Sequence, residues 1–438
     1  MLSYYLSQPV NLVEMNVMYR RVVVAVLFAV LFAGADWTRF RGPQGSGVSG
    51  DEGLPATWSA GENIVWKTPL PGFGASSPIT LGKKIFLTSY SGYGLNRDNP
   101  GDEKNLLHHV LCIDAATGKI LWDKTSKPVL PETGYDAGRV DLHGYASATP
   151  ATDGEAVYVF FGKSGVWKYD LDGKTLWKAG VGTGLDRHNW GSAASPILYK
   201  NLLIVNASVE SKSIRALDKA TGKEVWRFDD ILSSWSTPLV VTTADGGREL
   251  VVIEATKVYG LDPATGKQFW FCTKGRDYNC PSIIAHKGVV YVVNSRQSPW
   301  LAAIRTGGRG DVTGSHVLWT KKWTTRVSTP VYYDGHLYAM DFLGQAHCVN
   351  AATGEQVYRE KLDIRGDGDK IYASPVAVDG KLYGVTRLDG TVVLALSPEF
   401  KELARNRLAD ESVFNATPAV TGGRLLLRSD RALYCIGK

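Results

Sequence analysis

Eight aromatic and polar residues lie just ahead of a repeated phrase, and together they could bind a small ligand. The phrase is a small residue, then Ser or Thr, then Pro, as in Ala194-Ser195-Pro196 and Ser236-Thr237-Pro238. Aromatic rings with arginine and histidine around a concave opening suit a flat ligand that is anionic or rich in hydroxyl groups. The candidate ligand- or cofactor-binding residues are His143, Trp190, Trp235, Arg276, Tyr278, Arg326, Tyr372 and Asn415.

The phrase itself recurs along almost the whole chain. It first reads Ser76-Ser77-Pro78 and last reads Ala416-Thr417-Pro418, while Asn279-Cys280-Pro281 fills the one gap in the series. Successive prolines are 72, 46, 42, 43, 49, 45 and 43 residues apart. A period of about 40–50 residues built from short strands is typical of a repeat array or a propeller. The series therefore predicts eight structural repeats.

A second phrase, Asp-x-x-Thr-Gly-Lys followed by an aromatic residue, divides each repeat further. The clearest copies run from Asp114 to Trp122, from Asp218 to Trp226 and from Asp262 to Trp270. Runs rich in β-branched and aromatic residues lie between the two phrases, and Asp-Gly or Thr-Gly pairs supply tight turns. Each repeat is therefore predicted to be four antiparallel strands, A to D. Since such a sheet cannot bury both faces alone, the Trp of strand D should pack between neighbouring repeats.

The two ends of the chain predict a closed ring. The chain ends in a strand C sequence at Leu433-Tyr434-Cys435-Ile436, whereas Asn63-Ile64-Val65-Trp66-Lys67 resembles a strand D that has no preceding strands. Pairing these two segments would remove the exposed sheet edges. We therefore predict an all-β fold, an eight-bladed β-propeller of four-stranded antiparallel blades over residues 63–438. An N-terminal strand that pairs into the last blade closes it, and residues 36–62 form an extension.

The first 35 residues are typical of a secretory signal peptide. Arg20-Arg21 precedes an apolar run, Val22 to Phe32, and a small-residue site, Ala33-Gly34-Ala35; Met18 offers an alternative start. The apolar run is too short to span a bilayer, so no transmembrane segment is expected after cleavage. The protein is predicted to be exported, to the periplasm or the extracellular space.

Charge and metal-ligand patterns exclude several classes of partner. The formal net charge is +6 over 438 residues, without a cluster of Lys or Arg, so nucleic acid is not predicted as a partner. His108-His109 is read as a solvated pair in a polar loop. The alternating carboxylates of Arg365-Gly366-Asp367-Gly368-Asp369 lack the closing Glu of a calcium loop. No metal site is therefore predicted from spacing.

The five cysteines are expected to be mostly structural. Cys112, Cys348 and Cys435 fall at the same position of strand C, where a small buried apolar residue is expected. Cys272 and Cys280 flank the connection into blade 5. In an oxidising compartment these two could form a disulfide, and the alternative is two free thiols.

With these repeats the chain resembles the PQQ-repeat propellers. That superfamily contains the quinone-dependent alcohol and sugar dehydrogenases and non-enzymatic relatives such as the assembly lipoprotein BamB. The opening segment, Trp37-Thr38-Arg39-Phe40-Arg41-Gly42-Pro43, is similar to exported PQQ-like proteins of planctomycete bacteria. The resemblance implies the fold more strongly than an activity, because the repeated residues are packing residues.

The dehydrogenase branch implies further parts that are not evident in this sequence. Its members carry two adjacent cysteines against the quinone and bind calcium through Glu, Asn and Asp. No two cysteines are adjacent here, and no Cys-x-x-Cys-His sequence for haem attachment occurs. The BamB branch implies a lipidated Cys, and none follows the apolar run. Spacing alone assigns no catalytic residue, since a propeller brings distant loops together.

Propeller geometry places the candidate site on one face. The D-to-A and B-to-C connections share that face, and the two long insertions, 90–109 and 124–147, both fall on it. Long loops on a rigid scaffold usually carry function, so these two are expected to cap part of the channel mouth. The leading hypothesis is an exported scaffold that binds an unidentified protein or a small polar ligand there. The alternative is an alcohol or sugar dehydrogenase that uses PQQ and calcium.

Overall fold

The computed structural model describes residues 36–135, 139–366 and 368–438. The predicted signal peptide, residues 1–35, lies outside the described residues, as do Asp136 and Asp367. Eight antiparallel sheets of four strands each follow one another along the described chain, and two of them carry one further short strand. The predicted all-β, eight-bladed propeller is therefore confirmed. No helix in the described ranges is long and apolar enough to cross a membrane.

The strands of each blade are named A to D from the central channel outwards. In blade 1 they are Ile79–Leu81, Lys84–Ser91, Leu107–Asp114 and Ile120–Ser126, and in blade 2 Ala151–Thr152, Ala156–Phe160, Val166–Asp170 and Thr175–Ala179. In blade 3 they are Ile197–Tyr199, Leu202–Ala207, Ser213–Asp218 and Glu224–Phe228, and in blade 4 Leu239–Thr242, Arg248–Ile253, Lys257–Leu261 and Gln268–Thr273. In blade 5 they are Ile284–His286, Val289–Val293, Leu301–Arg305 and Val317–Lys321, and in blade 6 Val331–Tyr333, His336–Met340, Gln345–Asn350 and Gln356–Lys361. In blade 7 they are Val376–Val378, Lys381–Val385, Thr391–Ala395 and Glu402–Asn406, and in blade 8 Ala419–Thr421, Arg424–Arg428, Ala432–Ile436 and Ile64–Pro69.

Four short helices and two extra strands complete the described elements. The extra strand Gly310–Asp311 pairs in parallel with strand D of blade 4, and Val48–Ser49 pairs in parallel with strand A of blade 7. The helices are the 3₁₀ turns Glu103–Asn105 and Gly162–Ser164 and the α-helical turns α1 (Val140–His143) and α2 (Ser208–Ser211).

The ring closes as the chain ends predict. Strand D of blade 8 comes from the N-terminal side, Ile64–Pro69, and pairs antiparallel with the last strand of the chain, Ala432–Ile436. Around this junction a large apolar core joins blades 7, 8 and 1 and includes the fully buried Trp37 of the N-terminal extension. The first and last segments of the chain thus hold the ring together non-covalently.

The tryptophan of strand D packs on the next blade. The indole N–H of Trp177 in blade 2 donates to the Lys219 carbonyl of blade 3 at 3.0 Å, and its ring covers Gly222. A Cβ on Gly222 would lie 2.8 Å from that ring, and the φ of +72° also favours glycine. The Thr-Gly turn and the Trp are therefore two halves of one inter-blade contact. The same indole-to-carbonyl bond links Trp66 to Ala115, Trp122 to Leu171, Trp226 to Pro263 and Trp319 to Ala351.

The Ser or Thr before the proline forms what we call the hydroxyl ring. The amide of Ser77 in blade 1 donates to Thr149 Oγ1 of blade 2 at 2.9 Å, and the amide of Thr149 donates to Ser195 Oγ at 3.0 Å. Five further bonds of this kind continue around the channel. Each blade is thereby tied to the next at the inner end of strand A. The ring members are Ser77, Thr149, Ser195, Thr237, Ser282, Thr329, Ser374 and Thr417.

Blade 5 differs in one detail from the repeat predicted from the sequence. The sequence aligns Asn279-Cys280-Pro281 with the other phrases, but the hydroxyl in the ring belongs to Ser282, one residue later. Ile283 therefore takes the place of the proline, and strand A begins at Ile284. The feature that is repeated in space is the hydroxyl acceptor, because it satisfies a buried amide of the preceding blade. The proline is the more dispensable member of the phrase.

The two histidines read as a solvated loop pair are buried in strand C of blade 1. His108 stacks on Phe161 with ring centroids 4.3 Å apart, and burial lowers its pKa to about 3. His109 lies between Asp123, at 2.9 Å from Nδ1, and Ser91, at 2.7 Å from Nε2. The interpretation was wrong because strands B and C extend farther towards the cap than the apolar pattern indicates.

All five cysteines are free. Cys112, Cys348 and Cys435 are buried in strand C, as predicted. Of the two alternatives for the remaining pair, the structure has two free thiols. Cys272 is buried in strand D of blade 4, whereas Cys280 lines the central channel.

Candidate functional site

A cavity of about 160 Å³ lies in the central channel, on the face that carries the long insertions. Its wall is formed by the hydroxyl ring and by the connections that lead into each strand A. Arg276 is exposed and does not line the cavity. The other seven predicted binding residues do line it: His143, Trp190, Trp235, Tyr278, Arg326, Tyr372 and Asn415. The sequence-based candidates are thus brought together around one space, with one exception.

The two insertions contact each other and form a cap over one side of this cavity. Strands B and C of blade 1 shorten the first insertion to residues 92–106, and the second spans 127–150, of which 136–138 lie outside the described residues. The ring of Tyr93 lies 5.8 Å from Tyr145 and 6.2 Å from Tyr135, between centroids. Arg97 of the first insertion pairs with Asp141 of the second at 2.9 Å. The predicted cap is therefore a packed unit.

Hydrogen bonds fix the cap on two sides of the mouth. Helix α1 ends at His143, whose Nε2 donates to the Trp190 carbonyl at 2.7 Å and whose Nδ1 lies 2.6 Å from Ser147 Oγ. Burial lowers the pKa of His143, so the neutral ring with a proton on Nε2 is favoured. On the other side, Asn415 Nδ2 donates to the Leu142 carbonyl at 2.5 Å. His143 and Asn415 therefore position the cap, with their polar atoms committed to protein partners.

An aromatic wall forms one side of the mouth. Trp190 lies 5.0 Å from Trp235 and 4.7 Å from Tyr278, between ring centroids, and is only half-buried. Trp235 is buried and donates its indole N–H to the Gly191 carbonyl at 2.7 Å, so packing explains most of its position. Burial raises the pKa of the Tyr278 phenol, which therefore stays protonated. Trp190 is the ring with the most free surface towards a ligand.

Arginines gather at the outer rim of the cavity, where Arg139, Arg296 and Arg326 line an outer recess of about 390 Å³. Arg326 is nearly buried and pairs with Asp369, whose other oxygen lies 3.5 Å from Arg139. Tyr372 donates to the same carboxylate at 2.9 Å, and burial next to Asp369 raises its pKa to about 12. Arg296 is exposed and makes no ion pair within the described chain. Two guanidinium groups, those of Arg139 and Arg326, thus share one carboxylate, and the third, that of Arg296, has no carboxylate partner within the described residues.

The N-terminal extension closes the opposite end of the cavity. Phe40 lines the floor, and the neighbouring Arg41 is 1% exposed. The Arg41 guanidinium donates to the carbonyls of Thr329 at 3.1 Å and Pro330 at 2.7 Å, and also to Ser46 at 2.8 Å. Burial without a carboxylate partner lowers its pKa to about 9. The extension is therefore anchored into the channel, and the cavity opens only towards the capped face.

The hydroxyl ring adds hydrogen-bond donors to the cavity wall. Seven of its eight members line the cavity, and Ser77 does not. Each of the seven accepts a backbone N–H, which leaves its own O–H free to donate. In the part of the chain that the structure describes, none of these O–H groups has a protein acceptor. A ligand in the cavity would therefore meet a ring of donors.

Several lining residues were not among the sequence candidates. Phe40 gave no signal, because the extension lies outside the repeat. Arg139 and Arg296 could have been found, because one lies in the long second insertion and the other in a B-to-C connection on the same face. Cys280 lines the cavity too, but burial raises its pKa to about 12, so its thiol is protonated. The ring hydroxyls were visible as a phrase whose role was attributed to the proline.

The lining does not fit a calcium-bound quinone cofactor. Calcium takes six to eight oxygen ligands, usually with several carboxylates. Among the described residues, the cavity and the outer recess are lined by no Asp or Glu, and no group of three His, Cys, Asp or Glu could hold a metal. Asp369 beside the rim is committed to two arginines and a tyrosine.

Comparison with known proteins shows which sequences and structures this propeller is similar to. A family model described as outer membrane protein assembly factor BamB matches residues 108–211, 210–309 and 308–400. BamB of Burkholderia pseudomallei is 25% identical over 377 residues, which cover 82% of this chain and 83% of that protein. Tetrathionate hydrolase of Acidithiobacillus ferrooxidans is 24% identical over 381 residues, 76% of this chain and 67% of that protein. The structure of BamB from Moraxella catarrhalis, 15% identical, superposes with a TM-score of 0.60 and covers 85% of this chain and 96% of that one.

Proposed function

Because the chain belongs to the family of outer membrane protein assembly factor BamB, we propose that it is an exported binding scaffold whose capped face holds a small anionic ligand. The family supports a scaffold, and the lining of the cavity supports the class of ligand. Export rests on the signal-peptide sequence at residues 1–35.

The observation that carries the proposal is the excess of donors over acceptors in the cavity. Arg139 and Arg326 stand at its rim, seven hydroxyl groups line its wall, and no carboxylate lines it within the described residues. A site with free hydroxyl donors, two guanidinium groups at its rim and no carboxylate in its lining favours an anion or a ligand rich in acceptor oxygens. The relative named tetrathionate hydrolase, which is named for an anionic substrate, agrees with this chemistry.

The aromatic wall narrows the ligand further. Trp190 presents a half-buried ring beside Tyr278, with the Arg139 guanidinium 5.8 Å from the centre of the Trp190 ring. A flat group can stack on such a ring while its anionic substituents reach the arginines. We therefore expect a planar or elongated anion in preference to a compact one. The dehydrogenase alternative receives no support from the described lining, which offers no carboxylate to calcium.

The test is a titration of the purified protein with two anions, pyrroloquinoline quinone and tetrathionate, each with and without calcium. Trp190 and Trp235 are two of the 13 tryptophans that contribute to the fluorescence, so a ligand beside them should change part of the signal. The melting temperature reports binding independently. Saturable binding of either anion without calcium is expected. Arg326→Gln should weaken it about tenfold, as expected for loss of a buried charge-assisted contact of about 1.4 kcal/mol.

A matched control uses another paired arginine. Arg215 pairs with Glu224 at 2.8 Å in blade 3, away from the cavity, so Arg215→Gln should leave binding unchanged. Absence of binding by both anions, or equal effects of the two variants, would overturn the proposal. Calcium-dependent quinone binding with oxidation of an added alcohol would replace it by the dehydrogenase alternative. Hydrolysis of tetrathionate would show that the site is catalytic and would overturn the scaffold assignment.

A further inference from the structure

The face opposite the cap carries a second, larger depression, which we call the floor groove. It has a volume of about 1,230 Å³ and lies between the N-terminal extension and the A-to-B turns of blades 3, 4 and 5. Its lining includes Lys200, Leu239–Ala244 and His286–Val289. The extension separates it from the channel cavity, so it is independent of the proposed anion site.

The extension shows how a segment can bind on this face. Its backbone accepts from the inner strands of two blades, with Thr80 N–H donating to the Trp37 carbonyl and Thr152 N–H donating to the Thr38 carbonyl, both at 2.9 Å. At blade 7 it adds a short parallel strand, Val48–Ser49, to strand A. The extension thus covers the inner edges of blades 1 and 2 with single backbone hydrogen bonds and that of blade 7 by strand addition.

Blades 3, 4 and 5 lack this protection. Strand A of blade 4, Leu239–Thr242, pairs with strand B on one side and has no strand on its channel side within the described chain. The same holds for strand A of blade 3 and of blade 5. An edge with unpaired N–H and C=O groups is a template for another strand. The floor groove lies along these three edges, to which the extension adds no strand.

The charges around the groove define what could bind there. Lys200, Arg248 and Lys287 are exposed at its rim, and Arg39 lines it from the side of the extension. No Asp or Glu is among its described lining residues. The nearest acidic neighbour on the same turn is Asp245, which accepts a hydrogen bond from Thr243. The groove therefore carries an uncompensated positive charge beside an open sheet edge.

We propose that the floor groove binds an extended, acidic peptide segment of a partner protein, which adds as a strand to the inner edge of blade 4. Backbone hydrogen bonds to Leu239–Thr242 supply the pairing, and alternate acidic side chains meet Lys200, Arg248 and Lys287. Alternation arises because successive side chains of a strand point to opposite faces. The positive rim adds selectivity for acidic segments over neutral ones.

The experiment uses the purified protein and a fluorescent eight-residue peptide of alternating Glu and Val as the probe, with binding followed by anisotropy. The same peptide with Lys in place of Glu tests charge, and a third peptide with Pro in place of Val tests backbone pairing, since Pro lacks the N–H. We expect the Glu-Val peptide to bind at least tenfold more tightly than either control peptide. Amide hydrogen exchange in Leu239–Thr242 should slow when the Glu-Val peptide is present.

A charge-reversed variant locates the site. Lys200→Glu, Arg248→Glu and Lys287→Glu together should abolish binding of the Glu-Val peptide. The matched control reverses three exposed lysines on the C-to-D turns of blades 1, 2 and 4, Lys119→Glu, Lys174→Glu and Lys267→Glu, none of which lines the groove. It should leave binding unchanged, although it alters the net charge equally. Equal binding of the Glu-Pro peptide, equal loss in both variants, or no binding at all would overturn the proposal.

Discussion

The two ends of the channel are closed in different ways, and the difference separates structure from function. At the floor, the extension uses its backbone as added strands and inserts Arg41, whose donors meet carbonyl acceptors. At the mouth, the cap is held by side chains such as His143 and Asn415 and leaves a cavity below it. Backbone pairing seals an end, whereas side-chain contacts leave a space with unused donors. A ligand is therefore expected at the mouth.

The largest effect is expected from breaking the seal at the floor. Arg41→Met nearly keeps the volume of the side chain but removes the donors to four carbonyls, of which the bonds to Thr329 and Pro330 are fully buried. We expect a loss of about 3 kcal/mol in the free energy of unfolding, since buried acceptors lose charged donors. Urea denaturation would measure it. The control, Arg39→Met, removes one bond to Pro43 at 3.1 Å and should cost less than about 1 kcal/mol; equal losses would contradict the comparison.

At the mouth we expect the opposite of what Arg41 does at the floor, namely a buried side chain that lowers the stability of the fold. Glu210, on helix α2 beneath the cap, is 3% exposed, and burial raises its pKa to about 7. Its Oε1 accepts from Ser192, and its Oε2 has no partner. Glu132 raises the same pKa and Lys163 lowers it, both to a smaller extent than burial. The folded state therefore holds a proton that the unfolded chain releases above about pH 4.5.

It follows that the contribution of Glu210 to the free energy of unfolding should fall as the pH rises from about 5 to 8. The raised carboxyl pKa contributes stability below the unfolded value, and this contribution disappears as the pH passes through the folded value. Glu210→Gln should raise the melting temperature at pH 8 and leave it almost unchanged at pH 5, so that the difference between variant and wild type grows with pH. The difference at pH 8 should be on the order of 3 kcal/mol, because burial raises the pKa from 4.5 to about 7 and one pKa unit is worth about 1.4 kcal/mol. Glu155→Gln at an exposed turn is the control, and parallel pH curves for the wild type and Glu210→Gln would refute the prediction.

The hydroxyl ring, which lies between the two ends, should give a smaller effect that depends on position. Thr329 Oγ1 accepts the Ser282 amide at 2.8 Å, so Thr329→Val keeps the shape and leaves a buried N–H unpaired. A loss of about 1 kcal/mol is expected. The Ser77 hydroxyl is buried without a partner, so Ser77→Ala should change stability by less than about 0.5 kcal/mol. Thermal melting of both variants decides the point, and equal shifts would show that the ring bonds do not contribute.

Features that recur from blade to blade could be predicted from the sequence, whereas several features of the two channel ends could not. Contacts that recur around the ring, such as that of Trp177 with Gly222, which has equivalents in four other blades, could be predicted because a local pattern returns with its partner at a fixed spacing. The candidate site could be predicted in part, because the propeller fold determines which loops meet at the mouth. The position of Phe40 could not be predicted, because the extension lies outside the repeat. The burial of His108 could not be predicted either, because strands B and C of blade 1 extend farther towards the cap than the apolar pattern indicates. Ser282 was misaligned because proline was taken as the mark of the repeat, whereas the ring selects the hydroxyl.

The smallest effect sharpens the comparison at the outer rim. Arg296 is exposed and forms no ion pair within the described residues, so Arg296→Gln should leave the melting temperature unchanged. It should still weaken binding of the anionic probe two- to threefold at low salt, because an exposed charge contributes about 0.5 kcal/mol and is screened by ions. At about 1 M salt, where the Debye length is about 3 Å, the variant and the wild type should bind equally. The exposed outer-turn residue Lys119, changed to Gln, provides the control, because it removes the same charge far from the mouth. A salt-independent loss in Arg296→Gln would mean that this arginine contacts the ligand directly inside the cavity, and the rim would then be part of the site.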